Sequence, residues 1–128
     1  MTNIRMDPAG IAPPVAHFAH GVLSVDAERI LHTSGVVPVA PDGTVPKDLA
    51  GQAEVVWQNI LAVLAEAGMS TSDLVSVTTY VVPGQDLTTV MTARDRALGG
   101  HVTASTLLVV HELAQPAWLV EVAVVATA

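Results

Sequence analysis

The sequence predicts a two-layer α/β domain in which two helices cover one face of a mixed β-sheet. One strong helical stripe, a second capped helix and several β-branched runs carry this prediction, and they follow one another in the order ββαβαββ. With 128 residues, of which 51% are hydrophobic, the chain can form one domain with its own core but not two ordinary domains. We therefore expect a single domain over residues 1–128.

The first third of the chain is predicted to contain an irregular arm followed by a hairpin. Residues 1–14 hold prolines and Gly10 and show little periodicity, which is typical of irregular structure. Apolar and β-branched residues fill 21–25 and 29–39, with a polar break at 26–28, so these two runs are expected to pair with each other. The sequence Pro41-Asp42-Gly43 then predicts a turn.

Two helices are predicted, each with a start and a stop signal. Asp48 can cap the first helix, which ends at Gly68, and Asp86 can cap the second, which runs to about Leu98 before two glycines. The apolar positions of the first helix recur at intervals of three and four and are Leu49, Ala53, Val56, Trp57, Ile60, Leu61 and Leu64. A strand over 74–82 separates the two helices.

Two final strands are predicted over 104–112 and 117–126, with Pro116 in the turn between them. If these strands pair with each other, Ser105 lies opposite Ala123 and Glu121 lies opposite Leu107. Residues with that offset on one antiparallel face are about 5 to 8 Å apart. Ser105 and Glu121 are therefore expected to share a cleft.

Composition limits the classes of partner. Twelve acidic residues against five Lys and Arg give a net charge of −7, which disfavours a nucleic-acid partner. The absence of cysteine excludes disulfides and thiolate chemistry, and no apolar run has the length of a signal peptide or a membrane span. We expect a soluble cytoplasmic protein without a membrane partner. Since only 13% of residues are charged, burial between subunits is also expected.

Short segments in a characteristic order resemble the RidA/YjgF family over nearly the whole chain. That resemblance implies a YjgF/chorismate-mutase-like fold, with a mixed sheet of about six strands and two helices on one face. It also implies a homotrimer with a small-molecule cleft at each subunit interface. The matching segments are Thr33-Ser34-Gly35, Val36–Val39, Asp42-Gly43, Ala65-Glu66-Ala67-Gly68, Thr78-Thr79-Tyr80-Val81 and Leu119-Val120-Glu121-Val122.

The resemblance also indicates which residues line the cleft. In deaminating members an arginine holds the substrate carboxylate, while backbone groups near the Thr-Ser-Gly segment and a glutamate position water. Ser34, Gly35 and Glu121 correspond to the last two features, but Ser105 falls at the arginine. A hydroxyl cannot replace a guanidinium, which binds a carboxylate with two hydrogen bonds and a positive charge.

Two further positions depart from the family pattern in the same direction. Phe18 stands where a tyrosine is usual, and Met91 stands where an asparagine is usual. Unpaired polar groups are costly to bury, so a cleft with fewer polar side chains favours a less charged ligand than a 2-imino acid. We therefore expect Phe18, Met91 and Ser105 to contact the ligand.

Several ionisable residues are candidates for chemistry in this cleft. Glu121 interrupts an apolar strand and is a candidate general acid or base, or alternatively a structural glutamate. His17 is a candidate proton-transfer or ligand-binding group. With His20 it has metal-pair spacing but no third ligand, so neither a metal nor a cofactor is expected. Ser105 as a nucleophile lacks a neighbouring base, and His111 is expected near a turn.

Arg94 and Arg96 are the only cations close enough to this region to substitute for the missing arginine. They point about 200° apart on a helix, so at most one could face the cleft, and both are expected at the surface.

Three functions remain open. The first is an enzyme that converts a small imine, enamine or carbonyl compound by hydrolysis or tautomerisation. The second is a noncatalytic trimer that binds a metabolite and regulates a pathway, and the third is an ordinary 2-imino acid deaminase.

Overall fold

The computed structural model describes residues 1–128 and confirms two helices packed on one face of a mixed sheet. Neither helix combines the length and the apolar character that a membrane crossing requires. In chain order the elements are β1 (Thr2–Met6), β2 (Gly21–Val25), β3 (Ile30–His32), α1 (Leu49–Glu66), β4 (Leu74–Val81), α2 (Leu87–Leu98), β5 (Ala104–Val109) and β6 (Val120–Thr127).

The main sheet has four strands in the order β3-β6-β4-β5. Strand β4 pairs in parallel with β5 on one side and antiparallel with β6 on the other. The expected pairing of β5 with β6 is therefore wrong. Helix α2 connects β4 to β5, and such a crossover delivers β5 as a parallel neighbour of β4, so β6 must pair with the other edge.

The first strands also pair differently from the prediction. Residues 2–6 are not part of an irregular arm but form β1, which pairs antiparallel with β2 through partners such as Ile4 and Leu23. Strand β3 is only three residues long and pairs with β6, so the predicted hairpin of 21–25 with 29–39 is wrong. Asp26, with φ of 56°, turns the chain between β2 and β3.

The β1–β2 hairpin crosses the end of the main sheet where β4 and β5 begin. At one side the Ala19 N–H donates to the Thr103 carbonyl over 3.0 Å, and Ala19 pairs with Ala104. At the other side the hydroxyls of Ser24 and Thr127 lie 2.9 Å apart, and each is within hydrogen-bonding distance of Asn3 Oδ1, which accepts from them. The hairpin therefore spans from β5 to β6.

Helix α1 begins and ends as predicted. The Asp48 side chain accepts a hydrogen bond from the Gly51 N–H, and Gly68 has φ of +69° just beyond the last turn. Asp86 caps α2 through the Thr88 N–H, and Gly99 ends it in the left-handed conformation. The apolar stripe of α1 packs with the buried side chains of β4 and β6, including Trp57, Ile60 and Leu64 from the helix.

The opposite face of the sheet is not covered by a helix, and we call it the open face. Alternation along each strand separates it from the core, because Val77, Val122 and Val124 point to the helices while their neighbours point away. Its side chains are mostly small or polar. They are Ile30 and His32 on β3, Ser76, Thr78 and Tyr80 on β4, Ala104, Thr106 and Leu108 on β5, and Glu121, Ala123 and Val125 on β6.

Candidate functional site

Glu121 and Gly35 are in direct contact on the open face. A methyl group at Gly35 would overlap the Glu121 carboxylate, so only glycine leaves room for this side chain as it lies. Glu121 is half-buried, and neither of the two ion pairs of the chain, Arg5–Asp7 and Arg94–Asp95, involves it. The carboxylate is therefore available to a ligand or to another subunit.

The segment that carries Ser34 and Gly35 is held against β6 at both ends. On one side the Thr33 N–H donates to the Val124 carbonyl over 3.0 Å, and the Val124 N–H donates to Thr33 Oγ1 over 2.9 Å. On the other side Val36 and Val122 exchange two backbone hydrogen bonds of 2.7 and 3.1 Å. The two residues between these anchors bulge from the ladder beside Glu121, and Ser34 is exposed.

Two carboxamides of α1 fix the segments that flank this contact. The buried Gln52 donates to the carbonyls of Pro46 and Ala117, each over 2.8 Å, and accepts from the Leu119 N–H over 2.8 Å. Asn59, two helical turns later, donates to the carbonyls of Val37 and Val39. Gln52 thus holds the chain just before Glu121, and Asn59 holds it just after Gly35.

Ser105 lies on the other side of the sheet, so the expectation that it shares a cleft with Glu121 is wrong. It pairs with Val77, whose side chain is in the core, and its hydroxyl accepts a hydrogen bond of 2.9 Å from Arg94. Because successive strand residues point to opposite faces, Ala104 and Thr106 occupy the open face instead. Ser105 is therefore a partner of α2 within its own subunit.

Arg94 is buried, contrary to the expectation of a surface position. Only 6% of the residue is exposed, and its guanidinium binds Asp95 Oδ1 over 3.0 and 3.1 Å as well as Ser105. These partners make burial of the charge tolerable. Arg96 is exposed as expected and borders a groove of about 400 Å³ between the two helices. Neither arginine reaches the open face.

The remaining predicted cleft residues are not near Glu121 within one chain. Phe18 and His17 line a small cavity of about 200 Å³ with Arg5, beside the start of β5. Ala104, at the start of β5, pairs with Ser76, whereas Glu121 pairs with Tyr80, four residues further along β4. The two positions are therefore about 13 Å apart along the strands. Met91 is half-buried in α2, in the helical layer. His111 is exposed just after β5, near a turn as predicted.

Tyr80, Thr78 and Thr106 are open-face residues that no sequence motif indicates as cleft residues. Tyr80 is the direct cross-strand partner of Glu121, and Thr78 and Thr106 are partners of each other. The two-residue period of a strand is the signal that could have identified Tyr80, because it places Thr78 and Tyr80 on the face opposite to Val77 and Val81. No three His, Asp or Glu side chains come together as a metal site would require.

Comparisons with known proteins agree on one family. Residues 10–128 match the family model described as Endoribonuclease L-PSP. The 2-iminobutanoate/2-iminopropanoate deaminase of Escherichia coli K12 is 37% identical over 84 residues, which are 65% of this chain and 60% of that protein. The putative reactive intermediate deaminase TdcF of the same organism is 33% identical over 70 residues, 54% of each chain. These matches thus span only about half to three fifths of the relatives' length.

Solved structures share the fold over 90 to 100% of this chain. The Rid-family protein YyfB from Yersinia pestis, described as of unknown function, is 28% identical with a TM-score of 0.86 and covers 100% of both chains. The structure of E. coli TdcF with bound serine is 22% identical with a TM-score of 0.73 and covers 90% of this chain and 91% of TdcF. This chain therefore belongs to the Endoribonuclease L-PSP family, which is the RidA/YjgF family of reactive intermediate deaminases.

Proposed function

We propose that this protein binds a small, weakly charged imine, enamine or carbonyl compound on its open face and converts it by hydrolysis or tautomerisation. The observation that carries the proposal is the half-buried, unpaired carboxylate of Glu121 against Gly35. The family relationship supports small-metabolite chemistry, since a relative that is 37% identical over 84 residues is named for its action on imines.

For an imine, Glu121 would act first as a general base and then as a general acid. Water adds to the imine carbon while Glu121 takes the water proton and passes it to the nitrogen, giving a carbinolamine. In the collapse of the carbinolamine, Glu121 transfers the hydroxyl proton to the nitrogen as the C=O bond forms and the C–N bond breaks, which releases the amine or ammonia. The backbone of Ser34 and Gly35, held by Thr33 and Val36, would orient the reacting group.

We propose that the substrate differs from the 2-imino acids of the ordinary deaminases. A carboxylate on the substrate needs a strong, positively charged donor, and β5 contains no arginine in either orientation. Ala104 faces the open side at the start of β5, where Ser105 faces α2. Phe18 and Met91 remain candidate ligand contacts only if they reach the cleft from another subunit.

A homotrimer would bring together the two halves of this site. Phe18 and His17 lie at one end of the sheet and Glu121 lies toward the other, so a cleft that uses all three needs two chains. The open face also exposes 44% of Leu108. We expect light scattering after size-exclusion chromatography to give three times 13.2 kDa, and Leu108→Glu to dissociate the assembly. A monomeric mass for the native protein would contradict this expectation.

A noncatalytic ligand-binding trimer is the second candidate function, favoured by the absence of an arginine on β5. Both candidates are tested by incubating the protein with imines and enamines that lack a carboxylate and measuring amine or ammonia release. Turnover that falls at least about 100-fold in Glu121→Gln, but not in Ser105→Ala, supports the enzyme. Binding at Gly35 and Glu121 without any product supports the second candidate, and fast turnover of 2-imino acids supports an ordinary deaminase.

We also propose that nucleic acid is not a partner despite the family's description, because a net charge of −7 repels phosphate backbones. A cytoplasmic location remains a prediction that cell fractionation would test.

A further inference from the structure

We propose that the ligand of the open-face cleft carries a positive charge, as a protonated amine or an iminium nitrogen, and that the Glu121 carboxylate selects it. This inference rests on the proposed function and names the substrate class, which is a small compound with one positive charge and no carboxylate. It follows from where the charged side chains of the chain lie and from what surrounds Glu121.

No Lys or Arg side chain lies on the open face; the imidazole of His32 on β3 lies there, opposite Val125 and four residues along β6 from Glu121. The sequence has only five Lys and Arg residues. Arg94 is buried beneath β5 against Ser105, and Arg96 borders the groove between the helices. Arg29 Nη1 donates to the Ala67 carbonyl at the end of α1 over 2.6 Å. All three therefore belong to the helical side of the molecule.

The other two cations are no better placed to neutralise Glu121. Lys47 is exposed just before α1. Arg5, on the hairpin, donates two hydrogen bonds to Asp7, so its charge is already paired. A second copy of the chain would bring Arg5 to the cleft together with Phe18 and His17, but as a pair with Asp7 that carries no net charge. The carboxylate of Glu121 therefore lacks a fixed counterion, which a positively charged ligand would supply.

The neighbours of Glu121 favour the same ligand. Tyr80 is its direct partner across the strands. Side chains that lie directly opposite each other are about 5 Å apart at Cβ, so one small molecule can contact both. An aromatic ring attracts a cation to its face, and a carboxylate accepts hydrogen bonds from N–H groups. Ala123 and Thr78 beside them are small, which leaves room for a compact ring or chain.

An anionic ligand meets the opposite conditions. Its charge would lie beside a carboxylate, in a protein whose net charge is −7, with no guanidinium to separate the two. The chain therefore discriminates against the carboxylate that substrates of ordinary family deaminases carry.

The test compares small rings that differ in charge. Pyrrolidine, which is cationic at neutral pH, and cyclopentanecarboxylate, which is anionic, would be titrated into the ¹⁵N-labelled intact protein while calorimetry measures affinity. We expect pyrrolidinium to bind at least about tenfold more tightly and to shift the amide signals of Gly35 and Glu121. Glu121→Gln should remove that preference. Glu66→Gln is the control, because it changes the net charge by the same amount at an exposed position of α1, and this variant should keep the preference.

The possible failures are distinguishable. Equal or tighter binding of cyclopentanecarboxylate, with shifts at Gly35 and Glu121, would overturn the charge preference and leave the proposed cleft in place. Loss of that anion binding in Arg5→Ala would identify Arg5 as the cation responsible. If neither ring shifts Gly35 or Glu121 while the native assembly is intact, both this inference and the proposed site are wrong.

Discussion

The Glu121 carboxylate occupies the space that a side chain at Gly35 would need, and both residues are held there by neighbours on β6 and α1. The contact joins a loop near residue 35 to a strand near residue 121, so it forms only when the sheet is complete. Gly35 does not have a positive φ, so its backbone conformation does not require glycine. Glycine is required there because any side chain would occupy the space of the Glu121 carboxylate.

Gly35→Ala is expected to displace the Glu121 carboxylate while the fold is retained. The atoms that the new methyl group meets are the far end of a flexible side chain, so the free energy of unfolding should fall by no more than about 1 kcal/mol. Ligand affinity and turnover should fall much more. In a Glu121→Ala background the same substitution should have no further effect on stability, and an additional loss there would show that Gly35 is needed for another reason.

Gln52→Leu is expected to destabilise the protein by about 1 to 3 kcal/mol, because it removes the partner of the Leu119 N–H and of two carbonyls. Gln58→Leu is the matched control on the same helix, since Gln58 is exposed and its side chain makes a single hydrogen bond, of 3.4 Å, to Glu54. Chemical denaturation measures both. Equal stability of the two variants would show that the Gln52 hydrogen bonds contribute nothing net.

Arg94 and Ser105 are expected to be coupled in stability but not in ligand binding. A double-mutant cycle with Arg94→Met and Ser105→Ala should give an interaction free energy of about 1 to 3 kcal/mol, the range for hydrogen bonds to charged groups. Because both side chains lie on the helical side of the sheet, Ser105→Ala should leave ligand affinity unchanged. A tenfold weaker affinity in the folded Ser105→Ala protein would contradict the assigned face.

Asp7 is expected to make the hairpin sensitive to acid. The His20 backbone N–H, at 2.8 Å, and secondarily Arg5 hold the pKa of Asp7 below its ordinary value near 3.8. A lowered folded pKa means that the stabilisation is fully present above pH 3.8 and is lost as the pH falls through the lower folded value. Asp7→Asn should therefore reduce the acid dependence of unfolding below pH 3.8, and an unchanged dependence would exclude Asp7 as a contributor.

The helices could be predicted closely because their signals are local. The stripe of α1, the Asp48 cap and Gly68 all lie within one stretch of sequence. The order of strands could not be predicted in the same way, since it depends on pairings between distant residues such as His32 with Val125. Strand β1 was missed because its apolar residues, Ile4 and Met6, are few and remain exposed.

The site could be predicted in part. Ser34, Gly35 and Glu121 stood out by resemblance, and the structure places the last two in contact. Ser105 was assigned to the wrong face because a displacement of one residue along a strand reverses the direction of every side chain. The burial of Arg94 depends on Ser105 and Asp95 being within hydrogen-bonding distance, which composition does not reveal.

Strand β6 is the last element of the domain in chain order, yet it lies between β3 and β4 inside the sheet. During synthesis, the first 119 residues would therefore have two strand edges that can pair only with a segment not yet made. Such edges can associate with other chains, and pairing between distant segments slows folding. The arrival of residues 120–127 is thus the step at which a growing chain of this protein acquires its core and loses its exposed strand edges together.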